Sequence, residues 1–334
     1  MPLWPVYTGT NEPHDGITEL PPPPPWRAFD GGPVLGLPEA GDDDAATSPD
    51  RAHRAETYRP TEQTVQLVNA ALYLRRPLLV TGPPGTGKSS LVYAVARELG
   101  LGPVLRWNIT SRSTLHDALY QYDPLSRLYA ARHTTAPETG IEDHLRLGPL
   151  GTALLPYARP RALLIDEIDK SDLDLPNDLL NVLEEGQYEI PELVRTARRA
   201  PEAEVMVDGT DERVAVRRGR VRCKAFPFVV LTSNGEREFP PAFLRRCVTL
   251  RLRQPDGSRL ADIVRAHFDE EPDAGAQRLI GRFLSRVGGG DLATDQLLNA
   301  IYLARSSDLP AENLDELAEQ LMPYLGEAPH SDAF

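Results

Sequence analysis

Residues 82–89, Gly-Pro-Pro-Gly-Thr-Gly-Lys-Ser, decide how the rest of the chain is read. They fit the pattern G-x-x-x-x-G-K-[S/T], and both flanks are what that pattern requires. PLLVTG before it reads as a short apolar strand, and SSLVYAVARELG after it reads as a helix stopped by Gly100. A chance glycine-rich turn has no reason to join a strand to a helix in this way. In the stretch Gly82, Pro83, Pro84, Gly85, Thr86, Gly87, the glycines let backbone N–H groups wrap phosphates. The helix beginning near Ser90 adds positive potential at its N-terminus. Lys88 is then expected to reach the β and γ phosphates of ATP, and the Ser89 hydroxyl to ligate Mg²⁺.

Two further apolar runs end in polar residues. Leu163-Leu164-Ile165-Asp166-Glu167 reads as a buried strand that delivers Asp166 at its carboxyl end. Acids after strands are common, but a doubly wound sheet puts such a strand end next to the phosphate loop, and with that loop about 80 residues upstream the catalytic reading wins. Asp166 is expected to hold Mg²⁺ through water and Glu167 to polarise an attacking water. Val229 to Asn234, VVLTSN, is the third such strand; Asn234 can bond the γ-phosphate or the water, or simply form a turn. The first reading needs this strand to lie between the other two.

The remaining apolar patterns alternate strand with helix up to about residue 254 and are helical afterwards, from RLADIVRAHF to LDELAEQLMPYL. This pattern predicts an α/β fold, a parallel sheet between helices, followed by a smaller helical domain. TEQTVQLVNAALYL reads as a helix with Thr61 as its N-cap. The expected division is a proline-rich acidic arm over 1–56, an α/β nucleotide-binding domain over 57–254, and a helical lid with an acidic tail over 255–334.

Net charge is −13, but it sits at the ends: residues 1–50 carry nine acids and one arginine, and 311–334 carry six acids and no base. The body is near neutral, so anionic ligands are not excluded. The first 50 residues hold 11 of the 32 prolines, which predicts a largely extended arm. Trp4, Tyr7, Trp26 and Phe29 give that arm the means to dock into a groove. No apolar run approaches the ~20 residues of a membrane span, and no secretory signal opens the chain. Cys223 and Cys247 have no zinc or disulfide spacing and read as buried small hydrophobes in a reduced, cytoplasmic protein.

GPPGTGKSS, LLIDEIDK, VVLTSN and PPAFLRRC, in that order and before a helical tail, resemble an AAA+ ATPase over residues 58–325. RPLLVTGPPGTGKSSLVYAVA and NDLLNVLEEGQYEIPEL are similar to the MoxR branch. The opening WPVYTGTNEPHDGITELPPPPPWRAFD resembles MoxR-like ATPases of actinobacterial conflict-type gene clusters. The resemblance implies a P-loop NTPase with a C-terminal helical lid and a β-hairpin insert. It further implies a homo-oligomeric ring, a hexamer by preference, with ATP between neighbours and a protein client remodelled in a chaperone-like way. Lys88, Ser89, Asp166, Glu167 and Asn234 take the roles derived above. An arginine reaching the neighbour's ATP maps onto Arg246, with Arg245 second, and Tyr58 and Val65 fall where such proteins cradle adenine. Members of the McrB-like branch use GTP, so the base is not fixed. An ATP-driven assembly switch in a defence system is the alternative, and a nucleic-acid motor a third reading.

One departure from the family concerns the lid. The stretch Gly288–Leu298, GGGDLATDQLL, has no Lys or Arg where many lids carry a γ-phosphate sensor. Arg282 or Arg286 can substitute, or can lie on a solvated helix face. The implied hairpin insert falls on EVMVDGTDERVAVRRGRVRCKAF, which reads as a β-hairpin with its turn at Asp208–Glu212. Arg213–Lys224 holds six bases and no acid, yet lacks the interleaved aromatics that stack on single strands. It reads as a pore-facing element or as a solvated strand with Val inward and Arg outward. Residues 112–148 read as a second, helical insert; His116, His133 and His144 there are too scattered to ligate a metal.

Overall fold

The apolar runs become strands because β-branched and leucine side chains can be buried on both faces of a parallel sheet. In chain order the strands are β1 (Leu78–Thr81), β2 (Leu105–Asn108), β3 (Tyr120–Tyr122), β4 (Leu145–Leu147), β5 (Ala162–Asp166), β6 (Gln187–Glu189), β7 (Glu202–Met206), β8 (Arg213–Arg217), β9 (Arg220–Arg222), β10 (Phe228–Ser233) and β11 (Val248–Arg251). The helices are α1 (Pro49–Thr57), α2 (Glu62–Leu74), α3 (Ser90–Leu99), α4 (Leu115–Leu119), α5 (Pro124–His133), α6 (Pro149–Ala153), α7 (Leu175–Glu185), α8 (Pro191–Thr196), α9 (Pro241–Leu244), α10 (Gly257–Phe268), α11 (Ala274–Arg286) and α12 (Thr294–Ser306). This computed structural model describes residues 6–38, 48–133, 140–286, 292–306 and 319–323. The predicted lid helix LDELAEQLMPYL lies mostly outside them, as do Trp4 and the acidic tail beyond 323.

The main sheet is five-stranded and parallel, in the order β11-β1-β10-β5-β2. β10 lies between β1 and β5, the placement on which the Asn234 reading depended. Every residue of β5 and β10 is buried. One face packs Leu91, Val92 and Val95 of α3 against Leu78 and Val80; the other packs Leu150 and Leu154 with Leu163 and Ile165. The carboxyl ends of β1, β5 and β10 therefore meet at one edge, where ligands bind in open α/β sheets. Thr61 caps α2 as predicted, accepting the Thr64 N–H at 3.1 Å. Gly100 ends α3 in the left-handed conformation. A third apolar cluster, around Leu260, Phe283, Leu297 and Ile301, joins the lid helices α10, α11 and α12. Among the described residues no helix is long and apolar enough to cross a membrane.

The hairpin forms as read, β7 pairing antiparallel with β8, within a second sheet ordered β3-β4-β7-β8-β9-β6. Val216 and Val221 point inward and are buried. The arginines are matched across strands and loops: Arg213–Asp143 at 2.9 Å, Arg217–Glu202 and Arg220–Glu189 at 2.8 Å, and Arg222–Asp30 at 2.6 Å. Exposed pairs of this kind contribute ~1 kcal/mol or less each. Their importance is that four of the six bases in this stretch have an acid beside them in space.

The proline-rich segment docks. Asn69 on α2 accepts the Tyr7 N–H at 2.9 Å and donates to the Tyr7 carbonyl at 2.8 Å. The carboxylate of Glu98, wholly buried on α3, accepts the N–H groups of Thr8, Gly9 and Asn11 at 2.6–3.0 Å. A buried acid needs such donors, and the arm supplies them. Phe29 stacks on Phe226 at 5.3 Å, whereas Trp26 is exposed. The end of the arm, residues 49–56, expected to be extended, instead forms α1 with Thr57. Pro49 sits in its first turn and Asp50 pairs with Arg54 one turn on, while Ala55 and Thr57 are buried.

Candidate active site

The loop between β1 and α3 borders a cavity of about 830 Å³. Pro84, Gly85, Thr86, Gly87, Lys88, Ser89 and Ser90 line it, together with Asp166, Glu167, Asn234 and Tyr58. Gly82 and Pro83 form the base of the loop, and their carbonyls accept Lys88 Nζ at 2.9 and 2.8 Å. Lys88 is only 8% exposed. Burial pushes its ammonium pKa down, and Asp169, Asp166 and Glu167 push it back up. A buried cation among carboxylates beside a glycine-rich loop is suited to polyphosphate.

Gly85 is required by its contact as well as its φ of +69°: a Cβ there would lie 2.6 Å from Ala293 of the lid. The first turn of α12 thus rests on the phosphate loop and presents Thr294 and Asp295 to the cavity. No basic residue stands there, in keeping with GGGDLATDQLL; residues 288–291 of that stretch lie outside the described residues. Arg282 and Arg286 do not line the cavity. Besides Lys88, the cations that do are Arg54 from α1, Arg59, Arg251, Arg253 and Arg259 from the start of α10.

The Tyr58 ring lies against Gly87, 3.2 Å from where a Cβ would stand, and burial pushes its phenol up to about 12. Val65 does not reach the cavity; it packs on Gly9 of the arm instead. The arm thus occupies the side of α2 that carries Val65, which is why this expectation fails.

Asp166 ends β5 with both oxygens engaged. Its Oδ1 accepts the hydroxyls of Ser89 and Thr232, each at 2.7 Å, and its Oδ2 accepts Arg106 Nη2 at 2.9 Å. Ser89 is the N-cap position of α3, but its hydroxyl is not spent on capping. A hydroxyl and a carboxylate oxygen side by side beside a phosphate loop form a hard donor set that fits Mg²⁺ completed by waters and phosphate. Ser89 and Asp166 are the residues that can hold it. Among the described residues no cluster of three His, Cys, Asp or Glu side chains forms an all-protein metal cage. His116 packs at a tilt against Tyr120 and His144 bonds Ser126; the His133 side chain lies outside the described residues.

Glu167 follows at φ +62°, a left-handed conformation that costs a non-glycine residue about 1 kcal/mol or more. Its N–H is held by Thr232 Oγ1 at 2.9 Å, and its carboxylate pairs with Lys170 Nζ at 2.7 Å. Asn234 follows the last residue of β10 and lines the cavity. Arg245 and Arg246 are not in the cavity. Arg246 Nε donates to Glu184 Oε1 at 2.5 Å and its Nη1 to the Ala242 carbonyl at 3.2 Å, while the Arg245 side chain is exposed.

A sequence model of the AAA domain, dynein-related subfamily, matches residues 77–247, from the strand before the phosphate loop to the residue after Arg246. The chain belongs to this AAA family. It has the nucleotide-binding fold that the sheet order and the loop describe. No curated protein matches it. Among solved structures it is similar to NtrX from Brucella abortus in complex with ADP, at 16% identity and a TM-score of 0.37. That match covers 81% of this chain and 57% of the other, so the chain spans little more than half of that structure's length.

Three residues of this AAA domain's cavity edge have no motif to announce them in the sequence. Arg106 neutralises Asp166 from β2, and Thr232 ties Asp166 to the Glu167 backbone. Asp169, buried two residues beyond Glu167, bonds the backbone after β10. Only the strand that carries each was visible beforehand; the partners are distant in the chain.

Proposed function

We propose that the chain is a MoxR-like AAA+ ATPase that binds ATP with Mg²⁺ and hydrolyses it at sites completed by a neighbouring subunit. It works as a ring, a hexamer by preference, that remodels a protein client in the cytoplasm. The observation that carries this reading is the convergence of Lys88, Ser89, Asp166, Glu167 and Asn234 on one cavity while Arg246 stands outside it. In this reading Lys88 and the loop amides hold the β and γ phosphates. Ser89 and Asp166 hold Mg²⁺, which supplies charge neutralisation of the phosphates. Glu167 orients the attacking water in line, Asn234 bonds it or the γ-phosphate, and the partner subunit supplies the arginine.

A nucleic-acid motor is disfavoured by the pairing of the hairpin arginines with acids. An ATP-dependent assembly switch, as in conflict-type defence systems, gains support from the Glu167–Lys170 pair, which holds the water-orienting carboxylate. The test is Glu167→Gln. It should retain ATP, lose hydrolysis by about 100-fold or more, and form a stable ATP-dependent oligomer on a sizing column. Normal turnover in this variant contradicts the assignment, and wild-type turnover slower than disassembly of the oligomer favours the switch.

A further inference from the structure

Arg27 lies in PPPPPWRAFD, a stretch whose sequence gives an arginine no partner, yet its side chain is among the most enclosed charges of the protein, 8% exposed. Its guanidinium sits 4.7 Å from the Phe226 ring centroid and 5.4 Å from that of Phe29. Among the described residues its hydrogen bonds go to backbone carbonyls at two helix ends. Nη1 donates to Glu184 O and Nη2 to Leu183 O, each at 3.0 Å, in the last turn of α7. Nε donates to Arg75 O at 3.1 Å, and Nη2 also bonds that carbonyl, at the left-handed residue that ends α2. Carbonyls at a helix C-terminus have no partner within the helix and carry partial negative charge, so a buried cation there satisfies two needs at once.

Both helix ends lead to the arginine pair. Glu184, whose carbonyl accepts Arg27, uses its carboxylate to hold Arg246 Nε at 2.5 Å. Arg76, next to the Arg75 carbonyl, donates from Nη1 to the carbonyl of Arg245 at 3.0 Å. Arg246 is therefore held along its Nε edge and at Nη1, and its Nη2 has no hydrogen-bond partner among the described residues. A guanidinium anchored on one edge and open at the other keeps donors for an anion.

We infer that Arg27 of the docked proline-rich arm is a positioning residue for Arg246, acting through the end of α7 and the Glu184 carboxylate. The inference rests on the reading of Arg246 as the arginine given to a neighbour's ATP. It gives the arm a place in turnover: an arm bound to its own subunit fixes an arginine that serves the next one. A displacement of about 1 Å at a reacting centre can cost about 100-fold in rate. Loss of the brace therefore acts on turnover and not on the subunit's own nucleotide cavity.

The experiment measures ATPase kinetics of the full chain carrying Arg27→Met, alone and mixed over a range of ratios with Lys88→Ala subunits. Arg27→Met should lower kcat about 10- to 100-fold and leave KM for ATP within about twofold. Lys88→Ala subunits cannot use their own sites but carry an intact arginine, so mixing should raise the activity per Arg27→Met subunit several-fold. A defect in the variant's own cavity, or general loss of structure, is not rescued in this way. Glu184→Ala leaves Arg27's bonds to the backbone intact and should show the same loss with the same rescue. It keeps the inference testable if Arg27→Met fails to fold, and unchanged kcat in Glu184→Ala overturns it. Arg246→Ala mixed with Lys88→Ala is run in parallel. Rescue there without rescue of Arg27→Met overturns the brace alone; no rescue in either overturns the trans reading of Arg246 on which the brace depends.

Discussion

Asp169 Oδ2 accepts the backbone N–H of Asn234 at 2.9 Å, so the turn after β5 holds the end of the neighbouring strand β10. The same oxygen takes the N–H groups of Gly235 and Glu236 at 3.1 and 3.2 Å and the Ser233 hydroxyl at 2.9 Å. Asp169 is buried, and its charge also bears on Lys88. One carboxylate thus sets the spacing between Glu167 and Asn234, two side chains that in the proposed mechanism meet the same phosphate and water.

Asp169→Ala should lower kcat about 10- to 100-fold through the displaced Asn234. It should also cost roughly 2–4 kcal/mol of stability, because buried backbone donors lose their acceptor. Steady-state kinetics and urea unfolding read the two effects separately. An Asn at 169 keeps the shape without the charge and should fall between wild type and Ala in both.

Lys170→Ala should raise turnover. Lys170 and Glu167 are each more than 40% exposed, so their 2.7 Å pair restrains the carboxylate by no more than about 1 kcal/mol, which caps the gain near fivefold. A fall in kcat would show that Lys170 assists the carboxylate instead of holding it.

Removing Arg106 leaves Asp166 Oδ2 without its counter-charge, the Oδ1 side still being held by Ser89 and Thr232. Arg106→Ala should weaken Mg²⁺-dependent ATP hydrolysis and shift the Mg²⁺ titration, whereas Arg106→Lys should restore part of it. An unchanged Mg²⁺ titration in the Ala variant would remove Arg106 from the site.

His267 on α10 bonds the Ile263 carbonyl at 2.9 Å and meets the His53 ring of α1 at 5.1 Å. Burial lowers its pKa, and the charges of His53 and Arg59 lower it further. The folded protein therefore resists a proton that the unfolded chain accepts below about pH 6.5. Above that pH His267 contributes nothing to the pH dependence, and below it stability falls with pH. The melting temperature should drop between pH 7.5 and 5.5, less so in His267→Gln. Equal drops in the two proteins would place the acid sensitivity elsewhere.

Cys223 and Cys247 are buried, and desolvation pushes both thiols up to about 12. At pH 8 neither should be alkylated by iodoacetamide in the native protein, and both should be labelled in guanidinium chloride, read as a mass increase.

The parts of this site legible in sequence are those whose chemistry is local. The loop 82–89 carries its glycines, lysine and serine within eight residues, and β5 and β10 announce themselves as short apolar runs. The sheet order then follows from the fold's regular winding. What was not legible depends on contacts between distant segments. Arg27 bonds residues 156 and 157 positions away, and nothing in a run of prolines marks it. The pairing of the hairpin arginines was not legible because their acids, Asp30, Asp143, Glu189 and Glu202, lie in other strands and loops. Val65 had the periodicity of a buried helix face, but the element that buries it is the arm.

The central claim is that hydrolysis is completed by an arginine from a neighbouring subunit, and mixing two inactive variants tests it most directly. Arg246→Ala keeps a whole cavity and offers no arginine; Lys88→Ala offers the arginine and cannot hold ATP. Each should be nearly inactive alone, the first by about 10³-fold or more. Mixed at equal amounts, they should recover a readily measured fraction of wild-type ATPase activity, peaking at an intermediate ratio. Activity no greater than the sum of the two separate variants at every ratio would contradict the account.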